Sequence, residues 1–172
     1  MNTQFIPKKK EVIKPFLFIF IFLVVGFFFG SLLQVNLEAE SNKVSAMDIL
    51  LNNALIGIVL VFFTSLVAYP IILFNSFFLG LNIYFGIEIF GVYKTFMTLI
   101  FHTPIEILGW ILCIVASKRV KGFYTDMFRK NINQKNLRAI FILLITMVIV
   151  YIIAAIIEHY IFEYMGGYRW LH

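Results

Sequence analysis

His102 and Glu106 stand four residues apart in a stretch, 95–116, that is otherwise almost wholly apolar. On a helix that spacing puts both side chains on one face, within reach of each other. An imidazole and a carboxyl so placed can share a proton or compensate each other's charge. Thr95, Thr98, His102, Glu106, Gly109 and Cys113 recur at three-to-four spacing and form a single polar face on a helix of Ile, Leu, Phe, Val and Trp. Pro104 lies between the pair and frees the carbonyl of residue 100, so a kink is expected. Three chemistries compete. The preferred one is a buried polar clamp that fixes helix packing. The second is part of a proton, ion or substrate path. The third, a metal site, is disfavoured, because two ligands are too few and no Cys/His cluster completes them. His159 and Glu163, with Glu158 beside them, repeat the spacing near the C-terminal end. They read as a solvated helix end, with a proton- or cation-sensing patch as the alternative. Nucleophile-elbow, zincin and Walker A signatures are missing from the sequence, so we expect no catalytic residues, no enzyme and no cofactor.

The elements that must hold these residues follow from composition. Of 172 residues, 62% are apolar and 13% charged, and 21 are Phe. Mean hydropathy is +0.95. Soluble domains sit near 45–50% apolar and about 25% charged. A soluble fold of this size leaves roughly a third of its chain surface in water and could not hide so much apolar area. A soluble enzyme and a disordered chain are excluded. An all-α, polytopic membrane bundle in a single domain remains. A lone cysteine, Cys113, rules out an intramolecular disulfide.

Five apolar runs of membrane-crossing length are expected, over about 15–33, 49–67, 71–87, 95–116 and 138–162. Pro15 suits a helix start and Asp48 a helix cap. Ala68-Tyr69-Pro70 is expected to break the second run from the third. The run behind Lys8, Lys9, Lys10 and Lys14 resembles a signal peptide but is too long and has no small-residue cleavage site, so it reads as an uncleaved first span. Charge sets the orientation. The N-terminal tail is basic, and so is the linker 117–137, with Lys118, Arg119, Lys121, Arg129, Lys130 and Lys135. The linker 34–47 holds Glu38 and Glu40 against one Lys. Five crossings put both basic segments in the cytoplasm, the acidic loop outside, the N-terminus in and the C-terminus out. Topology thus accounts for the net charge of +5, and no nucleic-acid partner is expected. The basic linker also suits anionic lipid of the bilayer. Tyr93, Tyr160, Tyr164, Tyr168 and Trp170 read as an interfacial aromatic belt.

Small and polar residues mark the packing faces. Gly26 and Gly30 form a GxxxG pair, which lets another backbone approach, within the chain or from a second copy in a homo-oligomer. Asn75, Leu79, Asn82 and Gly86 share a stripe in the third run, as do Asn53, Gly57 and Thr64 in the second. Such Asn side chains read as hydrogen-bonding glue between helices rather than as ligands.

The chain resembles the stage II sporulation protein M family. The likeness rests on four segments in order. They are 22–30 with its glycine pair, 49–55 with Asn52 and Asn53, Leu73-Phe74-Asn75-Ser76-Phe77-Phe78-Leu79-Gly80, and His102-Thr103-Pro104-Ile105-Glu106. The third segment resembles an Asn-Gly…Gly pattern with Ser76 for the first Gly. The last resembles a Pro-His-Gly-x-x-Glu motif with Phe101 and Thr103 substituted. The resemblance implies a multi-pass protein of the bacterial cytoplasmic membrane, and an Ile-, Phe- and Lys-rich composition suits a low-GC bacterium. It implies an accessory or scaffold subunit of a membrane machine. Compact members of this kind are implicated in bacteriocin secretion or self-immunity, and in that setting an ATP-binding transporter subunit is the partner expected for this chain. Sporulation members instead scaffold cell-wall hydrolases in engulfment. A transporter or channel subunit using His102 and Glu106 is the further alternative.

Overall fold

The computed structural model describes residues 7–33, 46–130 and 134–164. Those residues form five α-helices, α1 (Lys9–Leu32), α2 (Ala46–Phe62), α3 (Thr64–Phe90), α4 (Val92–Phe128) and α5 (Gln134–Tyr164), and among them there is no strand. Four of the five, α1, α3, α4 and α5 to Ile161, are long and apolar enough to cross a membrane. With 17 residues α2 is at the short limit of about 17–25 residues for a span, and its apolar part is Asn53–Phe62. The chain is a polytopic helical bundle, as composition requires.

Helix directions follow from a few contacts. Gly26 meets Phe77, and Gly30 meets Tyr84, so α1 and α3 run parallel. Gly91 alone joins α3 to α4, with Lys118 lying over Tyr69 far from that link, so these two are antiparallel. Gly109 meets Tyr151 and Gly122 approaches Asn136, so α5 is antiparallel to α4. Cys113 reaches Gly57 and Tyr124 reaches Phe62, which makes α2 parallel to α4. Helices α1, α3 and α5 therefore run one way and α2 and α4 the other. Ile19, Val61, Ile72, Ile114 and Met147, one from each helix, are fully buried at the centre. The outer face is left apolar, with Phe20, Phe28, Leu66 and Phe141 exposed, as a lipid-facing surface must be.

Four expectations about boundaries are corrected. The break between α2 and α3 falls at Phe63–Thr64, and Pro70 lies inside α3. Thr64 makes the turn with φ 68, a left-handed conformation that costs a β-branched residue about 1–2 kcal/mol. Proline is tolerated at position 70 because it leaves only the Leu66 carbonyl unbonded, near the end of the helix. Pro15 likewise lies inside α1, and Asp48 lies inside α2 rather than capping it. The linker expected over 117–137 is helical as far as Phe128, so α4 has 37 residues. At 1.5 Å per residue it is about 55 Å long, well beyond a hydrocarbon core of about 30 Å. The tight turn into α4 is made by Gly91 with φ 81, where no side chain would sit easily. The acidic residues Glu38 and Glu40, and Tyr168 and Trp170 of the aromatic belt, lie outside the described residues.

Candidate functional site

The polar face of α4 does turn toward other helices. His102 and Thr95 are buried and Glu106 is half-buried. The Thr95 and Thr98 hydroxyls, however, donate to the Gly91 and Lys94 carbonyls of their own helix, at 2.9 and 2.5 Å. They are satisfied locally and line nothing. At the other end of the face the Cys113 thiol donates to the Gly57 carbonyl of α2 at 3.5 Å. Gly109 gives its missing side chain's place to the Tyr151 ring, 2.5 Å from where a Cβ would stand. Between these ends sit His102 and Glu106, one turn apart on α4. Glu158, on α5, is half-buried. Side-chain placement of Glu163 lies outside the described residues. No group of three or more His, Cys, Asp or Glu that could hold a metal occurs among the described residues.

The packing residues fall into two kinds. Gly26 and Gly30 are buried against α3, within the chain, so the glycine pair serves intramolecular packing. Its counterpart Gly80 was not singled out from sequence. A Cβ at Gly26 would collide with the Phe77 carbonyl, and one at Gly80 with the Leu23 carbonyl. Asn53, Asn75 and Asn82 are half-buried, while Leu79 and Gly86 of the expected stripe are buried. Tyr151, buried against Gly57 and Gly109, is the other residue that sequence reasoning missed. Its signal was the two glycines, each an open place on a different helix. The fully buried Ser76 hydroxyl finds no hydrogen-bond partner among the described residues.

The second region is the basic end of the α4–α5 hairpin. Between positions 117 and 138 stand Lys118, Arg119, Lys121, Arg129, Lys130, Lys135 and Arg138, against one acidic residue, Asp126. This end is fixed to the bundle. Val120 is buried, Phe123 and Tyr124 pack on the core, and the Tyr124 hydroxyl donates to the Phe62 carbonyl at 3.3 Å. That carbonyl belongs to the last turn of α2, where helix geometry leaves acceptors open. Lys121, Arg129, Lys130, Lys135 and Arg138 remain exposed. The Lys118 ammonium lies 5.1 Å from the Tyr69 ring centroid, a cation–π contact to α3. The basic end of α4 is thus held against the bundle as far as Tyr124, and the cations beyond it on the α4–α5 hairpin are exposed.

The family profile of stage II sporulation protein M matches residues 16–161. The chain belongs to the stage II sporulation protein M family. No curated protein and no solved structure matches it. In this stage II sporulation protein M member the matched segment takes in both regions, the His102–Glu106 face and the basic hairpin.

Proposed function

We propose that this stage II sporulation protein M member is a non-enzymatic accessory subunit of a machine in the bacterial cytoplasmic membrane. It would anchor a cytosolic partner through the basic end of α4–α5. One observation carries the reading: seven basic residues cluster on a helical hairpin that is pinned to the core by Val120 and Tyr124. A charged helix end packed on the bundle loses less entropy on docking than a free tail, and its charge steers an acidic partner to it. Excess positive charge places this end in the cytoplasm. Bacteriocin secretion or self-immunity is the setting we favour, with an ATP-binding transporter subunit as the partner.

Purification in mild detergent from the native host tests this, comparing wild type with the triple change Lys121→Glu, Arg129→Glu, Lys130→Glu. We expect an ATP-binding subunit to accompany wild type and to fall at least tenfold with the triple variant, at an unchanged melting temperature. A cell-wall hydrolase complex in its place would assign the protein to engulfment scaffolding. Equal recovery with both forms would refute docking through this end. A second reading, a proton or ion path, draws on two ionisable side chains, His102 buried and Glu106 half-buried, one turn apart within an apolar span. It requires proton flux in proteoliposomes that His102→Ala abolishes.

A further inference from the structure

Between α1 and α3 a groove of about 520 Å³ opens on the lipid-facing side, lined by Phe22, Tyr69, Pro70, Leu73, Phe74 and Phe77. Its size is within the roughly 300–1,000 Å³ of small-molecule sites. Along α3 it runs from residue 69 to residue 77, about 12 Å at helical rise. Residue 69 is near the start of α3, at the end where the basic hairpin projects, so the groove climbs from that membrane surface toward the bilayer centre. Its lining is apolar apart from the Tyr69 hydroxyl. Two lysines stand toward that end of the bundle. Lys118 of α4 lies over the Tyr69 ring that forms one wall. Lys14 is exposed on α1, two turns before Phe22 on the same side of the membrane. An apolar slot with ammonium groups at its interfacial end matches a molecule with an acyl chain and an anionic head.

We infer that this groove binds one anionic phospholipid of the inner leaflet, with an acyl chain along Leu73 and Phe77 and the phosphate at Lys118 and Lys14. The inference does not depend on a cytosolic partner, since none of the groove's lining residues belongs to the basic end of α4–α5. Charge complementarity decides for lipid over an apolar helix of another protein, which would bring no anion to these two lysines. Pro70 contributes too. It has no N–H to give the Leu66 carbonyl, and its ring forms part of the wall where a regular side chain would stand.

The test is native mass spectrometry of the full chain released from vesicles of equal phosphatidylglycerol and phosphatidylcholine. Wild type is expected to retain one phosphatidylglycerol, preferred about fivefold or more, the worth of one basic residue at a membrane surface. Lys118→Gln should bring that preference close to unity while still retaining a lipid. Leu73→Trp, which fills the groove, should abolish retention of both lipids. Retention by Leu73→Trp equal to wild type, or no preference in wild type, would overturn the inference. Phe74→Trp, at a position 60% exposed, supplies a reporter that does not depend on the filled variant folding. Brominated phosphatidylglycerol should quench it more than brominated phosphatidylcholine, and equal quenching would also overturn the site.

Discussion

The contact of α1 with α3 and the contact of α4 with α2 and α5 are both built on glycine, yet they work differently. In the first, Gly26 faces the Phe77 carbonyl and Gly80 faces the Leu23 carbonyl, so backbone lies against backbone from both sides. Aromatic pairs close the seam, Phe27 with Tyr84 at 5.7 Å and Phe29 with Phe77 at 5.5 Å between centroids. In the second, Gly57 and Gly109 both receive the ring of Tyr151, and the Cys113 thiol donates to the Gly57 carbonyl. Lipid tails are as apolar as Leu, so helices in a bilayer gain little from hydrophobic burial. Close van der Waals approach and polar contact are the two means left. This bundle uses one on each side. The first is intolerant of any added atom, because peptide groups cannot move aside. The second has some give, because a side chain can rotate.

That contrast can be broken most sharply at Gly80. Gly80→Ala should cost about 3 kcal/mol, the upper range for overpacking, since its methyl meets the α1 backbone. Thermal melting in detergent should show a large drop, and a cost no greater than that of Gly109→Ala would end the distinction. The next effect should come from His102→Leu, at roughly 2 kcal/mol, because Glu106 would stand in the apolar span without the imidazole one turn away. Joint replacement of His102 and Glu106 by Leu should recover most of the loss. If the double variant melts no higher than the single one, the pair is not a packing clamp. The smallest effect belongs to Gly109→Ala, about 1 kcal/mol, with the Tyr151 ring displaced. Adding Tyr151→Leu should relieve it, and a cost that persists unchanged in the double variant would mean the ring is not what the methyl meets.

Much of this was legible in the residues themselves. Composition dictated a membrane bundle, and the GxxxG pair and the polar face of α4 were visible as spacings. The family likeness lay in short segments from the first span to the fourth. The break between α2 and α3 was not legible. A proline looks like a stop, but at position 70 it frees one carbonyl near a helix end, whereas the turn is made at Thr64, a residue type that seldom adopts positive φ. The helical continuation beyond Ser117 was also hidden, because its charges suggested a solvated linker. Only the burial of Val120 and the Tyr124 contact show why it stays helical. Gly80 and Tyr151 could not be found without knowing which helices meet.

The docking surface and the lipid groove both require that the two basic segments share one side of the membrane. Cysteine labelling tests that requirement directly. With Cys113 changed to Ser, single-cysteine variants Lys10→Cys, Tyr93→Cys and Lys121→Cys sit at exposed positions of α1 and α4. A membrane-impermeant maleimide on intact cells should label Tyr93→Cys alone, and inverted vesicles should reverse the pattern. Labelling of Lys10→Cys and Lys121→Cys from opposite sides would contradict five crossings and both readings built on them.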